Sequence, residues 1–444
     1  MENINSEKYK NLNYDKKNIQ TKSNIEKSKN NIFEGNHSDS KKEKDNCIIF
    51  DETIAQSKKK ANPYRIIEFS KIIGKHQMPV DFIEELENGF FVSDGSDNSL
   101  ILYNQFFEKI KTIECNDWVY KDGEKMNYKE KSEDSIKLLC AINQEFQIIN
   151  LDKKDLKINK NKYKCPNKTF TNFVEIKENN IVSTGRGGAS YCDDFFNEKK
   201  RFTEIIITEK TYRGLIKVND KNASLSSNKI ILDGEDCLLL YNTKKKTEPL
   251  KISGYSPNPS INNFVIMPRE ENKINYKILL CACTKFTKDQ KNGILLINPQ
   301  LGDNKNIENP FYETENFEVY CFCPILQVIN KNSNSEKENI DEEYRRNITR
   351  KDTDYFFVGG YDLDQREGKI KLFKIIYGSK AWETKIVFIQ DIIVCDDDKF
   401  ENFDGAITCI KQSKISGCIL VTCYNRNVYL FTPPNMDLFI NNKI

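Results

Sequence analysis

The chain has 444 residues, 38% of them hydrophobic and 30% charged, with a formal net charge of +2. Its 27 Phe and 20 Tyr can fill a substantial core, while lysines matched by acids leave no strong field to draw nucleic acid or an anionic membrane. Eighteen uncharged apolar residues never run together, the opening MENINSEKYKNLNYDKK lacks the apolar core of a signal peptide, and the 14 cysteines are spread thinly. A soluble, unexported, cytoplasmic or nuclear chain with reduced thiols and no membrane insertion is therefore expected.

Residues 1–62 are rich in Lys, Asn, Ser and acids and carry little apolar surface beyond Cys47–Phe50, so a disordered tail is predicted there. The run SDSKKEKD, Ser38–Asp45, reads as solvated tail, with phosphorylation as its functional alternative. From 63 to 444 the pattern is all-β: long helical periodicity is nearly absent, and short apolar runs recur between Asn, Asp, Gly and Lys. The first distinctive unit is GFFVSDGSDNSLILYN, Gly89–Asn104. Aromatic and β-branched residues favour extended backbone on either side of a small, acidic turn over Asp94–Asn98, which predicts a hairpin.

Six more units follow: IKLLCA with FQIINL, NNIVS with TEIIIT, NKIIL with CLLLYN, YKILLCA with GILLIN, DYFFVGG with KIKLFK, and GCILVTC with NVYLFT. The second strands are spaced roughly 35 to 75 residues apart, bracketing the period of four-stranded propeller blades. The longest gap holds Lys331–Asp354, a mixed-charge stretch read as a mobile insertion. The predicted fold is a seven-bladed β-propeller of four-stranded antiparallel blades, with six or eight blades as alternatives. Pro433 and Pro434 interrupt pairing after the last run, so YRIIEFS, 64–70, is expected to complete the final blade; Met436–Ile440 is the competing candidate.

The stretch SDGSDNSLILYN resembles the latter half of a WD repeat. In that pattern a Ser or Thr, a turn Asp and a Trp are tied to an upstream His, and by position Ser93, Asp97, Tyr103 and His76 take those places. The resemblance spans about 64 to 440 and is divergent. Lys75 separates Gly74 from His76, the Trp place holds a Tyr, and Glu235 stands where the fourth unit would have its Asp. It implies a structural role for His76, Ser93, Asp97 and Tyr103, and protein or peptide partners, commonly in assemblies such as ubiquitin ligases, trafficking coats or signalling complexes.

Chemistry has little to work with. The chain has two histidines, His37 in the predicted tail and His76 in the predicted structural network, so neither a histidine metal site nor a Ser-His-Asp arrangement is expected. Cys281, Cys283, Cys321 and Cys323 form two i, i+2 pairs that a strand would present as small apolar groups, so no metal or cofactor is assigned. The glycine-rich Ser183–Phe202 lacks a P-loop ending and is read as a rim loop between strands. The expected function is a non-enzymatic interaction scaffold or adaptor that displays a rim made of Asp94, Arg186, Tyr191, Glu235, Tyr361, Asp362, Tyr424 and Arg426. Two alternatives stand beside it. One is a propeller-fold enzyme using Asp94, Asp97, Glu235 and Asp362 at a channel mouth; the other is nucleic-acid association through the tail, where thirteen lysines face ten acids. Oligomeric state is left open.

Overall fold

The structure, a computed structural model, describes residues 65–85, 91–95, 99–114, 119–125, 135–142, 145–152, 158–164, 169–177, 180–192, 203–211, 215–218, 229–233, 238–242, 250–252, 260–267, 278–285, 291–298, 310–330, 348–392 and 403–440. The chain divides into two units, Met1–Ala61 and Asn62–Ile444, and every described residue belongs to the second. The predicted tail, 1–62, thus lies outside the described residues.

That second unit is all-β. After β1 (Phe69–Lys75) comes a sheet of β2 (Val80–Glu85), β3 (Phe91–Gly95), β4 (Ser99–Tyr103) and β5 (Lys109–Glu114). Next come β6 (Val119–Lys125), β7 (Ser135–Ile142), β8 (Glu145–Asp152) and β9 (Ile158–Lys164), then a three-stranded sheet of β10 (Thr169–Lys177), β11 (Asn180–Cys192) and β12 (Thr203–Thr211). The fourth sheet holds β13 (Leu215–Val218), β14 (Lys229–Asp233), β15 (Leu238–Asn242) and β16 (Leu250–Ile252). The fifth holds β17 (Ser260–Ile266), β18 (Leu279–Thr284), β19 (Gly293–Ile297) and β20 (Phe311–Glu313). The sixth is β21 (Phe317–Asn330), β22 (Ile348–Asp362), β23 (Glu367–Ile376) and β24 (Lys385–Asp391). The last contains β25 (Ile407–Gln412), β26 (Ile419–Cys423) and β27 (Asn427–Phe431), with β1 as its fourth strand. All pairings are antiparallel; six of the seven sequence-predicted hairpins fall on the two middle strands of a sheet, and the third pairs β11 with β12, an edge strand among the described residues. Among the described residues the third sheet has three strands, against the four expected.

Why the middle strands read as continuous apolar runs is visible in the sixth sheet. Neighbouring residues of a strand point to opposite faces, so Phe356, Val358 and Phe373 join one cluster with Leu280, Leu296 and Phe322, while Phe357, Leu372 and Tyr355 join another with Ile407, Ile419 and Phe431. Both faces are buried, so both sets of alternating positions must be apolar. Gly360 lets β22 approach β21 closely: a Cβ there would stand 1.9 Å from the Glu318 carbonyl oxygen.

Three boundaries differ from expectation. The strand that completes the last sheet is Phe69–Lys75, later than the predicted 64–70, although Ile66 and Glu68 still meet the far end of the chain: Asn435 N donates to Ile66 O at 2.8 Å and Thr432 N to Glu68 O at 2.9 Å. Met436–Ile440, the competing strand, is a short helix, α1; Leu438 and Phe439 are buried, which an amphipathic turn achieves without a free sheet edge to pair with. Within the predicted insertion, Ile348–Asp354 is strand: β22 pairs with β21 as far as Asn330↔Ile348, and residues 331–347 lie outside the described residues. Among the described residues, no helix is long and apolar enough to cross a membrane.

Candidate partner-binding rim

The connection from β1 to β2 carries His76, 3% exposed. Its Nε2 shares a 2.8 Å hydrogen bond with Ser93 Oγ, its Nδ1 lies 3.2 Å from Ser99 Oγ, and Ser93 Oγ meets Tyr103 Oη at 3.0 Å. A buried imidazole needs partners at both nitrogens, and β3 and β4 supply them from either side of their turn. Burial raises the Tyr103 hydroxyl to about 12, with the Ser93 bond opposing, so the phenol stays neutral. Gly74 makes room for that phenol, since a Cβ there would stand 2.0 Å from Tyr103 Oη. His76, Ser93 and Tyr103 thus come together, and Ser99 joins them, a residue the sequence reading assigned no part. Asp97 lies outside the described residues.

From this clasp, a chain of backbone bonds runs across the connectors between sheets. His76 N donates to Arg426 O at 2.9 Å, Tyr424 N to Ala406 O at 2.9 Å, Gly368 N to Phe403 O at 2.9 Å, and Leu363 N to Asn316 O at 2.9 Å. Asn316 Nδ2 also donates to both oxygens of Asp364, at 3.1 and 3.0 Å. The connectors entering the sixth, seventh and first sheets are therefore each tied to the tip of a β-hairpin, and the turns of the sixth and seventh sheets form one hydrogen-bonded belt. Within it, Asp362 accepts from Asp364 N and Gln365 N, both at 3.0 Å, and from Lys369 Nζ at 2.9 Å. Desolvation works against its charge, but those donors together hold its carboxyl below the ordinary range.

Three residues of this belt, Glu315, Arg366 and Arg426, have φ of 52°, 57° and 75°. Glycine adopts that left-handed region at less cost, so charged side chains are displayed there against conformational preference. Leu363, Tyr424 and Met78 are 43%, 44% and 46% exposed on the same belt or its adjoining connector. The surface is thus a rigid backbone frame presenting apolar and charged side chains.

The predicted rim residues distribute unevenly over this frame. Tyr361 and Asp362 end β22, and Tyr424 and Arg426 occupy the β26–β27 turn, so these four lie on the belt. Of the predicted loop Ser183–Phe202, Ser183–Cys192 is strand and 193–202 lie outside the described residues: Arg186 sits opposite Thr169 and Thr211 within β11, and Tyr191 sits opposite Thr203. The glycines that suggested a loop are accommodated inside a strand whose register shifts between Arg186 and Gly188, where Gly188 has φ 123°. Asp94 is the fourth residue of β3, not part of the turn, and Glu235 lies outside the described residues.

Several contacts had no sequence signal. Gln412 clamps β21 by accepting from Leu326 N at 2.7 Å and donating to Leu326 O at 2.9 Å. Glu85 accepts from Ser413 Oγ at 2.9 Å and Lys414 N at 2.7 Å, joining the first sheet to the last. Beside it, Lys411 Nζ stands 2.6 Å from Glu84 Oε2; burial opposes the ammonium, yet Glu84 holds its pKa above the ordinary range. Burial also pushes the Cys323 and Cys423 thiols up to about 12 and raises Cys321, which favours the neutral thiol at these three positions. Among the described residues, no group of three or more His, Cys, Asp or Glu is placed to hold a metal.

Compared with protein-family models and with curated proteins, the sequence matches no family and no curated relative.

Proposed function

We propose that residues 63–444 close into a seven-bladed, WD-repeat-like β-propeller that works as an interaction scaffold, holding protein or peptide partners on the rim around Leu363, Tyr424 and Arg426. One observation carries the reading. The last sheet is completed by β1 from the other end of the chain, and β2, the strand that follows, lies against β25 and β26 of that same sheet. Further support comes from the inner strands, for β2 and β6, β6 and β10, β10 and β13, β13 and β17, β17 and β21, and β21 and β25 also lie against one another. A succession that returns to its start suits a ring, in which every blade buries both faces and no sheet is left at an open end. Rigid display is the mechanism: turns fixed by the belt lose little conformational freedom on binding, and exposed Leu, Tyr and Arg side chains are natural anchors.

The test is quantitative affinity capture by the full chain, comparing wild type with a Leu363→Asp, Tyr424→Ala variant of unchanged melting temperature. Loss of the same partners from the variant is the expected result. A partner set unaffected by both substitutions overturns the assignment to this rim.

A further inference from the structure

The outer half of the sixth sheet carries a surface that neither the core nor the rim uses. Ile376 pairs with Lys385 and Lys374 with Val387, and residues two apart on a strand share a face, so these four side chains form a checkerboard on one face of β23 and β24. Ile376 is 50% and Val387 39% exposed, and Lys385 is exposed beside them. The turn that joins the two strands adds Trp382, 39% exposed, with Lys380 Nζ 5.1 Å from its ring centroid. Glu383, in that same turn, is bent back: its Oε2 accepts from Ser379 Oγ at 2.5 Å and Lys380 N at 3.2 Å, and these bonds hold its carboxyl below the ordinary range. The charges interleaved with the exposed hydrocarbon are therefore those of Lys374, Lys380 and Lys385 against the one ionised carboxylate of Glu383, a positive balance.

Cover on this face stops one strand earlier. On β22, Tyr355 packs edge-on against Phe439 of α1 at 4.7 Å, and Lys374 lies 4.9 Å from the same ring. Beyond that ring, Ile376 and Val387 are exposed, with no cover among the described residues. Strands stand ~4.8 Å apart and same-face residues ~7 Å apart, so the footprint is that of one short peptide, too narrow to favour a bilayer. The exposed backbone edge of β24 is a poorer attachment, because its register shifts at Phe388 and a bulge disrupts further pairing.

We propose that this face of β23 and β24 is a second docking surface, fitted to an acidic segment whose apolar side chains alternate with Asp or Glu. The carboxylates meet Lys374, Lys380 and Lys385, and the apolar side chains cover Ile376, Val387 and Trp382. The surface belongs to one sheet and stands whether or not the ring closes.

The test uses the full chain and three probes: a short fluorescein-labelled peptide of alternating Glu and Leu, the same peptide with Lys in place of Glu, and phosphatidylserine-containing vesicles. Anisotropy is expected to show binding of the acidic peptide alone, weakened about tenfold or more in Lys380→Glu, Lys385→Glu and in Trp382→Ala, Val387→Ser, with melting temperatures unchanged. Equal binding of both peptides, binding indifferent to either variant, or capture by vesicles without binding of the acidic peptide would each overturn the proposal.

Discussion

The boundary between the fifth and sixth sheets and the boundary between the last and first are built from different materials. At the former, Leu280, Leu296, Phe322, Phe356 and Phe373 make a cluster of hydrocarbon and aromatic rings. At the latter, a smaller apolar cluster around Val80, Ile101 and Leu430 is supplemented by directional bonds: the His76 clasp, Thr408 Oγ1 to the Val80 carbonyl at 2.5 Å, Lys411 to Glu84, and Ser413 to Glu85. The fifth and sixth sheets are consecutive in the chain, whereas the last and first are brought together from opposite ends of it. Hydrophobic attraction is non-directional and leaves sliding open; hydrogen bonds select one register. The boundary between the fifth and sixth sheets leans on adhesion, with Asn263 Nδ2 donating to Tyr320 O at 3.1 Å, and the long-range seam adds more specification, as the Gln412–Leu326 clamp does between the sixth and seventh sheets.

Breaking the adhesive boundary should cost most. Phe356 is fully buried, stacked on Phe373 with centroids 5.6 Å apart and tilted against Phe322 at 6.3 Å. Phe356→Ala is expected to lose about 3–5 kcal/mol through lost transfer energy and the remaining cavity, read by denaturant unfolding. Phe356→Leu should recover most of that, because the site asks for volume and has no hydrogen bond to satisfy.

At the seam, His76→Ala should cost about 2–3 kcal/mol, since it removes both ring bonds and leaves Ser93 Oγ and Tyr103 Oη to satisfy each other. Coupling distinguishes the two boundaries better than magnitude does. In a double-mutant cycle, His76→Ala and Tyr103→Phe should be non-additive, although no direct bond between them is needed, because Ser93 bonds to both. His76→Ala with Phe356→Ala should be additive. Additivity within the clasp would mean that the three side chains do not act as one network.

The two boundaries were also unequally legible. The sheets could be read because a strand buried on both faces is an unbroken apolar run, as DYFFVGG and GCILVTC are, and such runs are local. His76, Ser93 and Tyr103 could be read because their types and order resemble a known repeat. Glu85, Gln412 and Ser413 could not: each meets a partner tens to hundreds of residues away, and nothing about a glutamate ending a strand distinguishes a buried acceptor from a solvated charge. The glycines of β11 misled for a related reason, since glycine marks bulges within strands as well as loops. On the rim, turn residues at hairpin tips could be placed from strand order, but Asn316, Glu315 and Ala406 owe their positions to connectors that carry no apolar signal.

Glu85 sharpens the comparison through pH. Burial raises its pKa above the ordinary 4.5, and the bonds from Lys414 N and Ser413 Oγ offset this only in part. A carboxyl with a raised folded pKa contributes its full stability below the unfolded value and loses it as pH rises through the folded one. Relative to Glu85→Gln, whose amide can still accept from Lys414 N, the wild type should therefore be at its best in mild acid and should fall behind as pH climbs from about 4.5 toward neutrality. Glu85→Ala strands both donors and should cost about 1–3 kcal/mol. An advantage of wild type over Glu85→Gln that grows with pH would show that the hydrogen bonds, and not desolvation, govern this carboxyl.

The smallest effect belongs to Glu84 and Lys411, whose side chains are 26% and 33% exposed. Solvent screens a pair this open, so a cycle of Glu84→Gln and Lys411→Gln should return a coupling of about 0.5–1 kcal/mol, shrinking as salt is raised. The neighbouring Glu85 bonds are largely shielded from water and should respond little to the same salt. If the Glu84–Lys411 coupling resists salt as the Glu85 bonds do, the seam excludes water more thoroughly than its side-chain exposure implies, and ion pairing becomes a principal part of what fixes its register.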